Sequence, residues 1–457
     1  MRSILLTLVH FCRMVVGSLL VISGLIKSND ARGFMYKLEE YFEPGALNLE
    51  AWAPYALELG ITASVGEILL GVALLVGALP RLTTALTTVL LLFFGWLTFY
   101  THSCDPFGMK TVLVDGVATE IANQCVLACG CFGNAIPLTP WESFLKDVFL
   151  LVLTLPILWA AWTGGFGLND RRRATVLYTG ALVLTWLFGD QMLEWGFPVL
   201  FLAGALLIAE MIRRRVGGRW REYAMAGGVL LLAVGFQSTT LRHLPLKDYR
   251  PYAAGQSIVD NRKTADELGV AGPVYATEYA YRNVVSEADT TVLSSDYIEI
   301  YNEPWFKNGY ELVSFDGAEV KLSDGYEPLI SDLDMVDAQG FSHLESFLGE
   351  GVSLWHISKD LGEAHTCAQP AITGLCAEAE KLGWRVAGLT ASMAEEVEEY
   401  RFDHQAAYPF YTADPTELKI VVRSNPGVVL IQNGVVLGKW GWRDVPTIVD
   451  LQALVSP

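Results

Sequence analysis

Apolar positions dominate the first 242 residues, in long runs separated by short polar stretches. A bilayer crossing takes about 20 predominantly apolar residues. The runs predict spans near 4–27, 55–79, 82–101, 143–162, 174–190, 196–212 and 222–241. The fifth is short, so with the sixth it is expected either to cross or to form a re-entrant hairpin. The first run reads as a retained span and not a cleaved leader: it is long, carries Arg13 and has no small-residue cleavage site. Past residue 242 the period changes. Strand-like runs broken by turns fill 243–327, and strand and helix periods alternate over 328–457. The predicted organisation is a four-helix membrane domain (1–165) with a polar loop at 102–142, three further helices (166–242), a β-rich region (243–327) and an α/β domain (328–457).

Charge separates the same two halves. Residues 1–242 carry 17 basic and 17 acidic side chains, whereas 243–457 carry 15 and 33, so the whole formal charge of −18 lies in the tail. That acidity keeps the tail soluble and argues against nucleic acid and against docking on anionic lipid. Arginine sets the expected orientation. Arg2, Arg81, Arg171, Arg172 and Arg173 flank alternate ends of the spans, and Arg213, Arg214, Arg215, Arg219 and Arg221 separate spans six and seven. The positive-inside rule puts these loops in the cytoplasm. The loops 28–54 and 102–142 and the whole tail then lie outside, in a compartment where disulfides persist. If spans five and six form only a hairpin, the tail keeps its side.

Two charges fall inside spans. Arg13 lies some 13 Å into span one at about 1.5 Å per residue, and Glu67 lies near the middle of span two. Buried intramembrane charges are normally paired, so an Arg13–Glu67 ion pair is predicted, with His10 on the same face as Arg13 at i−3. Such a pair is either a static staple between two helices or part of a proton or quinone site. Lys27, Lys146 and Asp147 are expected to snorkel to the headgroups.

The candidate chemistry is the run Cys129-Gly130-Cys131-Phe132-Gly133 in the loop before span four. A Cys-Gly-Cys disulfide closes a very small ring, departs from relaxed geometry and should be easily reduced, which suits an exchanging pair. Gly130 gives the backbone the freedom such a ring requires, and Phe132 and Trp141 are expected to anchor the loop at the interface. An insertion adds Cys104 and Cys125. These either bridge each other across a hairpin, VLVDGVATEI turning at Asp115-Gly116, or form a relay with Cys129 and Cys131. A third alternative is metal, since His102, Cys104, Cys125, Cys129 and Cys131 include soft ligands, although CxC is not the usual zinc spacing.

Span one, with Arg13, Gly17, Ser23, Gly24 and Lys27 (R-x3-G-x5-SG-x2-K), resembles the DoxX/MauE family of four-helix membrane proteins, and CGCFG before the fourth helix resembles its redox-associated MauE branch. The resemblance covers about 1–165. LPLKDYRPYAAG at 244–255 extends it to a subgroup with an extracytoplasmic tail. It implies disulfide or electron handling at a bacterial inner membrane, with the N-terminus cytoplasmic and the tail periplasmic.

In the tail, the order β-α-β-α-β-β-α over 328–457 resembles a thioredoxin fold of the membrane-anchored, peroxiredoxin-like kind. Asn425-Pro426 stands before the hairpin VVLIQNGVVLGKW, at the position of that fold's cis-proline. The dithiol of such a domain is missing. KDLGEAHTCAQPAI supplies Cys367, with His365 placed to assist its deprotonation. Cys376, nine residues on, reads as a buried apolar residue.

The expected fold class is a multi-pass α-helical membrane protein, a DoxX-like four-helix bundle plus about three further helices, followed by an extracytoplasmic α/β thioredoxin-like domain. Three functions compete. The first is a membrane thiol–disulfide or redox-maturation protein using Cys129 and Cys131, with Cys104, Cys125 and Cys367 as possible exchange partners and a quinone as candidate electron acceptor. The second is a non-catalytic scaffold or complex subunit whose degenerate thioredoxin-like domain grips a client. The third is a metal-handling protein, although no metal is assigned. The sequence demands no cofactor outright. The expected partners are membrane lipid and either an extracytoplasmic protein client or other members of a membrane complex.

Overall fold

A computed structural model describes residues 2–105, 108–114, 117–126, 130, 132–314 and 319–455. It divides into two compact units, Met1–Arg250 and Pro251–Pro457.

The first unit is a multi-pass helical membrane bundle. Its helices are α1 (Arg2–Asn29), α2 (Ala31–Phe42), α3 (Ala56–Val76), α4 (Pro80–His102), α5 (Pro140–Trp162), α6 (Arg171–Gln191), α7 (Phe197–Arg215) and α8 (Arg221–Arg242). Five stretches are long and apolar enough to cross a membrane: Leu5–Asn29, Glu50–Val76, Pro80–His102, Pro140–Trp162 and Gly218–Arg242. α6 and α7, over the predicted fifth and sixth spans, stand outside that set. Their inner residues Ala181, Phe201, Leu202 and Ala205 nevertheless join one core with α1, α3 and α8.

Small residues set how α1 and α3 meet. A Cβ on Gly17 would lie 2.9 Å from the Gly71 carbonyl, one on Gly71 2.6 Å from the Gly17 carbonyl, and one on Gly24 2.6 Å from the Ser64 carbonyl. The two antiparallel backbones therefore touch, the close approach that small residues permit between membrane helices. This register corrects the predicted ion pair. Arg13 lies opposite Leu74 and Leu75, to whose carbonyls it donates at 2.9 and 3.4 Å. Glu67 is eight residues from Leu75, about 12 Å along the helix. Arg13 instead bonds Asn169 Oδ1 at 3.0 Å and meets His10 Nδ1 at 3.1 Å. Its guanidinium also packs on Phe166, 4.3 Å from the ring centroid.

α2 occupies a stretch expected to be loop. Asp30 starts it by accepting a hydrogen bond from Gly33 N at 3.0 Å, the service an N-cap provides to an otherwise unpaired amide. The insertion between α4 and α5 is the predicted hairpin, with β1 (Met109–Val114) antiparallel to β2 (Val117–Ala122). It is tied to the end of α2: Gln124 N donates to Gly45 O at 2.8 Å, and Lys110 Nζ reaches Ala46 O at 2.9 Å and Tyr100 Oη at 2.7 Å.

The second unit begins with two single-turn helices, α9 (Ile258–Asn261) and α10 (Ala265–Leu268). A small antiparallel sheet follows, built from β3 (Val274–Asn283), β4 (Asp289–Leu293), β5 (Tyr310–Ser314) and β6 (Glu319–Ser323), with α11 (Ser294–Tyr301) and α12 (Pro304–Gly309) inserted. Tyr281, Phe306 and Val292 form its core. Then come α13 (Leu344–Leu348), β7 (Val352–Ile357), α14 (Gln369–Lys381), β8 (Arg385–Thr390), α15 (Ala394–His404), β9 (Phe410–Thr412), α16 (Pro415–Val421), β10 (Gly427–Gln432), β11 (Val435–Gly441) and α17 (Ile448–Leu454). The sheet order is β11-β10-β7-β8-β9, with β7, β8 and β9 parallel and β10 and β11 antiparallel. This is the thioredoxin-like arrangement the element order predicts, with α16 added before β10. β7 is buried on both faces, as befits a central strand, with Ser353 and His356 among its buried residues. Asn433 and Gly434, both at positive φ, turn the terminal hairpin.

Candidate functional site

The cysteine loop and the lower bundle meet around a cavity of about 270 Å³ lined by α1, α3, α4, α5, the tip of α6 and the segment after the CGC run. Most of its wall is apolar, including Leu20, Leu91, Phe94 and Leu150. Glu142, which is exposed, belongs to the lining as well, and four further charges stand among them: Lys27, Glu67, Lys146 and Asp147.

These four charges are paired, and three of them are buried. Lys27 and Glu67 form an ion pair with both side chains 2% exposed. Helix geometry explains why Lys27 succeeds where Arg13 does not. Side chains lean toward the N-terminus of their own helix, so on antiparallel helices Lys27, near the end of α1, and Glu67, at the middle of α3, lean toward each other. Lys27 Nζ also donates to Ser23 Oγ at 3.2 Å and lies 4.5 Å from the Phe94 ring centroid. Lys146 and Asp147 pair at 2.5 Å, with Asp147 2% exposed, and Thr98 Oγ1 donates to Asp147 Oδ2 at 3.4 Å. The expectation that Lys27 and Asp147 snorkel to the headgroups is therefore corrected. Glu67 Oε2 is buried and has no hydrogen-bond partner among the described residues.

A capping box starts α5: Thr139 Oγ1 accepts from Glu142 N, and Glu142 Oε2 accepts from Thr139 N. This fixes where Lys146 and Asp147 fall on the helix. Phe132 is 7% exposed, packs 6.0 Å from the Phe188 ring and lies beneath Lys146 Nζ at 5.4 Å. It is thus a wall residue of the bundle and not the headgroup anchor expected of it. Trp141 is exposed and packs on His102 at 4.9 Å. Gly130 adopts φ +67°, and a Cβ there would lie 3.2 Å from Lys37 Cγ on α2.

Cys104 and Cys125 are joined in a disulfide, Cα–Cα 5.8 Å, across the base of the hairpin. Cys129 and Cys131, the expected exchanging pair, and the expected Asp115-Gly116 turn lie outside the described residues. Among the described residues no group of His, Cys, Asp and Glu is arranged to hold a metal.

In the second unit the Asn425–Pro426 bond is cis, as its position predicted. His365 N donates to Asn425 O at 3.1 Å, and Asn425 Oδ1 accepts from Ser358 Oγ at 2.8 Å. Cys367 is exposed, one residue into the short turn that leads into α14. The His365 ring packs tilted against Trp442, with centroids 4.4 Å apart. Cys376 is buried in the core, and burial pushes its thiol up to about 12. Beneath the loop lies a polar chain that the sequence gave no sign of: Tyr400 Oη donates to Gln369 Oε1 at 2.7 Å, Gln369 Nε2 donates to Tyr408 Oη at 3.0 Å, and Tyr408 Oη meets His356 Nδ1 at 2.9 Å. Burial holds His356 down to about 3, so its ring is neutral.

The first unit matches a known family. Residues 5–105 fit the family of methylamine utilisation protein MauE, in agreement with the resemblance carried by Arg13 through Lys27. The matched stretch runs through α4 and ends before the CGCFG run. Among solved structures, a thiol:disulfide interchange protein from Bacteroides sp. is 15% identical, with 23% of this chain and 75% of that chain covered and a TM-score of 0.21. The thioredoxin-like assignment of the second unit rests on its sheet order and cis-proline, not on that overlap. Comparison with curated proteins gives no match.

Proposed function

We propose that this chain is a thiol–disulfide exchange protein of the bacterial inner membrane, oriented with the cysteine loop and the second unit on the periplasmic side. Cys129 and Cys131 are the exchanging pair. The observation that carries this reading is the setting of their neighbours: Phe132 is built into the wall of a cavity holding buried charges, and Gly130 lies against α2. The other two cysteines of the loop are already joined to each other, and we assign that bridge to holding the hairpin on the bundle.

In the exchange, a client dithiol attacks the Cys129–Cys131 disulfide. One S–S bond breaks in the loop, one forms in the client, and two electrons and two protons pass to the loop cysteines. A quinone in the membrane then takes those electrons and protons and restores the loop disulfide. The second unit binds the client. It keeps the groove-side cis-proline of a thioredoxin fold and an exposed thiol at Cys367, which is suited to a mixed disulfide.

Thiol trapping of whole cells tests the assignment. Cys129→Ser and Cys131→Ser should each leave periplasmic clients reduced, because neither variant can form the loop disulfide that the client attacks. If neither variant changes the redox state of any partner, the exchange reading fails and the chain acts as a scaffold.

A further inference from the structure

We infer that the cavity lined by Lys27, Glu67, Lys146 and Asp147 is the seat of the electron acceptor, and that it takes the headgroup of a neutral quinone. This deepens the exchange reading and rests on it for the identity of the electron donor.

The charges narrow the ligand class. Two cations and two anions line the wall as two ion pairs, and the fifth lining charge, Glu142, is exposed to solvent and engaged in the capping box of α5, so the buried part of the site is already compensated. An anionic headgroup or a free cation would bring an unbalanced charge into a low-dielectric space, at a cost of several kcal/mol. A neutral ring brings none. The wall also offers both kinds of polar partner: ammonium groups that donate, and a buried carboxylate oxygen, Glu67 Oε2, without a partner among the described residues. A quinone has carbonyl oxygens that accept from an ammonium. Its reduced form has hydroxyls that donate to a carboxylate. One site with both groups therefore serves both redox forms. A lipid acyl chain would fill the apolar part and leave Glu67 Oε2 unmet, and leaving a buried charged acceptor unsatisfied is costly. The volume of about 270 Å³ is near the lower end for small-molecule sites, which run from about 300 Å³ upward. That suits a headgroup whose tail leaves the cavity for the lipid. α4 and α5, which form part of the wall, present Leu92, Phe93, Phe149 and Val152 outward, each about half exposed.

Placement fits the donor. Phe132, the residue after the CGC run, lines the cavity. The step balances: two S–H bonds of Cys129 and Cys131 break, one S–S bond forms, and two electrons and two protons convert the quinone to its quinol. Glu67 Oε2 is the atom positioned to hold a proton during that transfer.

The test uses the full chain, purified in detergent and freed of endogenous lipid quinone, titrated with a decyl-tailed benzoquinone in equilibrium dialysis. The wild type should bind it saturably. Leu91→Trp, which fills the cavity and keeps all four charges, and the double variant Lys27→Gln/Glu67→Gln, which removes one pair without stranding a charge, should each weaken binding at least about tenfold, the loss expected for a charge-assisted hydrogen bond. Circular dichroism melting of both variants checks that they fold. Cys129→Ser/Cys131→Ser should bind as the wild type does. No saturable binding to the wild type, or unchanged affinity in both cavity variants, overturns the assignment. Saturable binding lost in the cavity variants, with loop thiols that quinone does not oxidise, sustains the site and overturns the exchange reading instead.

Discussion

The Lys27–Glu67 pair makes a quantitative claim about the bundle. Both side chains are 2% exposed, and beyond each other they have few partners: Lys27 has Ser23 Oγ at 3.2 Å and the Phe94 ring, while Glu67 leaves Oε2 unmet. In Glu67→Gln the ammonium keeps the serine, the Phe34 and Phe94 rings and a neutral amide oxygen but loses its counter-charge, so a buried charge is left uncompensated. Lys27→Met strands the carboxylate in the same way. Breaking a buried pair from one side costs about 3–5 kcal/mol, whereas replacing both partners with neutral groups is often close to neutral. The double variant Lys27→Met/Glu67→Gln should therefore lie within about 1–2 kcal/mol of the wild type, giving a coupling of several kcal/mol across the cycle. Reversible unfolding of the full chain in mixed micelles, followed by far-ultraviolet circular dichroism, measures all four proteins. If the single losses add in the double variant, the two groups do not interact and the structural basis of the cavity's neutrality falls. Arg13→Gln is the control. Arg13 bonds carbonyls and Asn169 and no carboxylate, so it should show no coupling with Glu67→Gln.

Three further outcomes are expected. Replacing Cys104 and Cys125 with serine removes a link of sequence separation 21, worth about 3 kcal/mol by loop closure; limited proteolysis should then cut the hairpin at 109–122 in the variant and spare it in the oxidised wild type. His356 titrates near 3 when folded and near its ordinary 6.5 when unfolded, so between those values the unfolded chain binds the extra proton and stability falls as pH falls, by up to about 1.4 kcal/mol per pH unit; hydrogen exchange of the β7 amides should show that slope, and His356→Gln should lose it. Maleimide labelling should modify Cys367 in the folded protein and Cys376 only after denaturation, because Cys376 is 1% exposed; equal rates would contradict the packing around α14.

Legibility differed between the two units for a physical reason. The tail announces itself through local rules: a strand-like run at 352–357, an Asn-Gly turn at 433–434 and a proline at 426. Each rule constrains only its own neighbourhood, so each survived. The insertion hairpin and its Cys104–Cys125 bridge were legible on the same terms. The bundle charges were not, because pairing across helices depends on register, and register is set by where Gly17, Gly24 and Gly71 let the backbones touch. A depth count from the chain end placed Arg13 and Glu67 in the same layer, but the glycines slide them about two turns apart. Lys27 and Asp147 were expected at the headgroups because they stand near helix ends; α2 and the segment after the CGC run cover those ends and turn an interface into an interior. A signal for α2 was present in Asp30 followed by an amphipathic run. The Tyr400–Gln369–Tyr408–His356 chain had none, since its members come from α15, α14, the segment before β9 and β7.

The cavity occupies one end of the helices. Its walls on α1, α4 and α5 are the turns nearest the cysteine loop, while the opposite end is filled by Val9, Cys12, Val16, Ile157, Ala160 and Phe166 around the Arg13 cluster. On the exchange reading proposed above, a proton released by a loop thiol reaches a carboxylate in the cavity and leaves again on the side from which it came. On that reading the two-electron, two-proton step in this space is electroneutral. It neither draws on the membrane potential nor leaks it, and its rate should not change when the potential is collapsed.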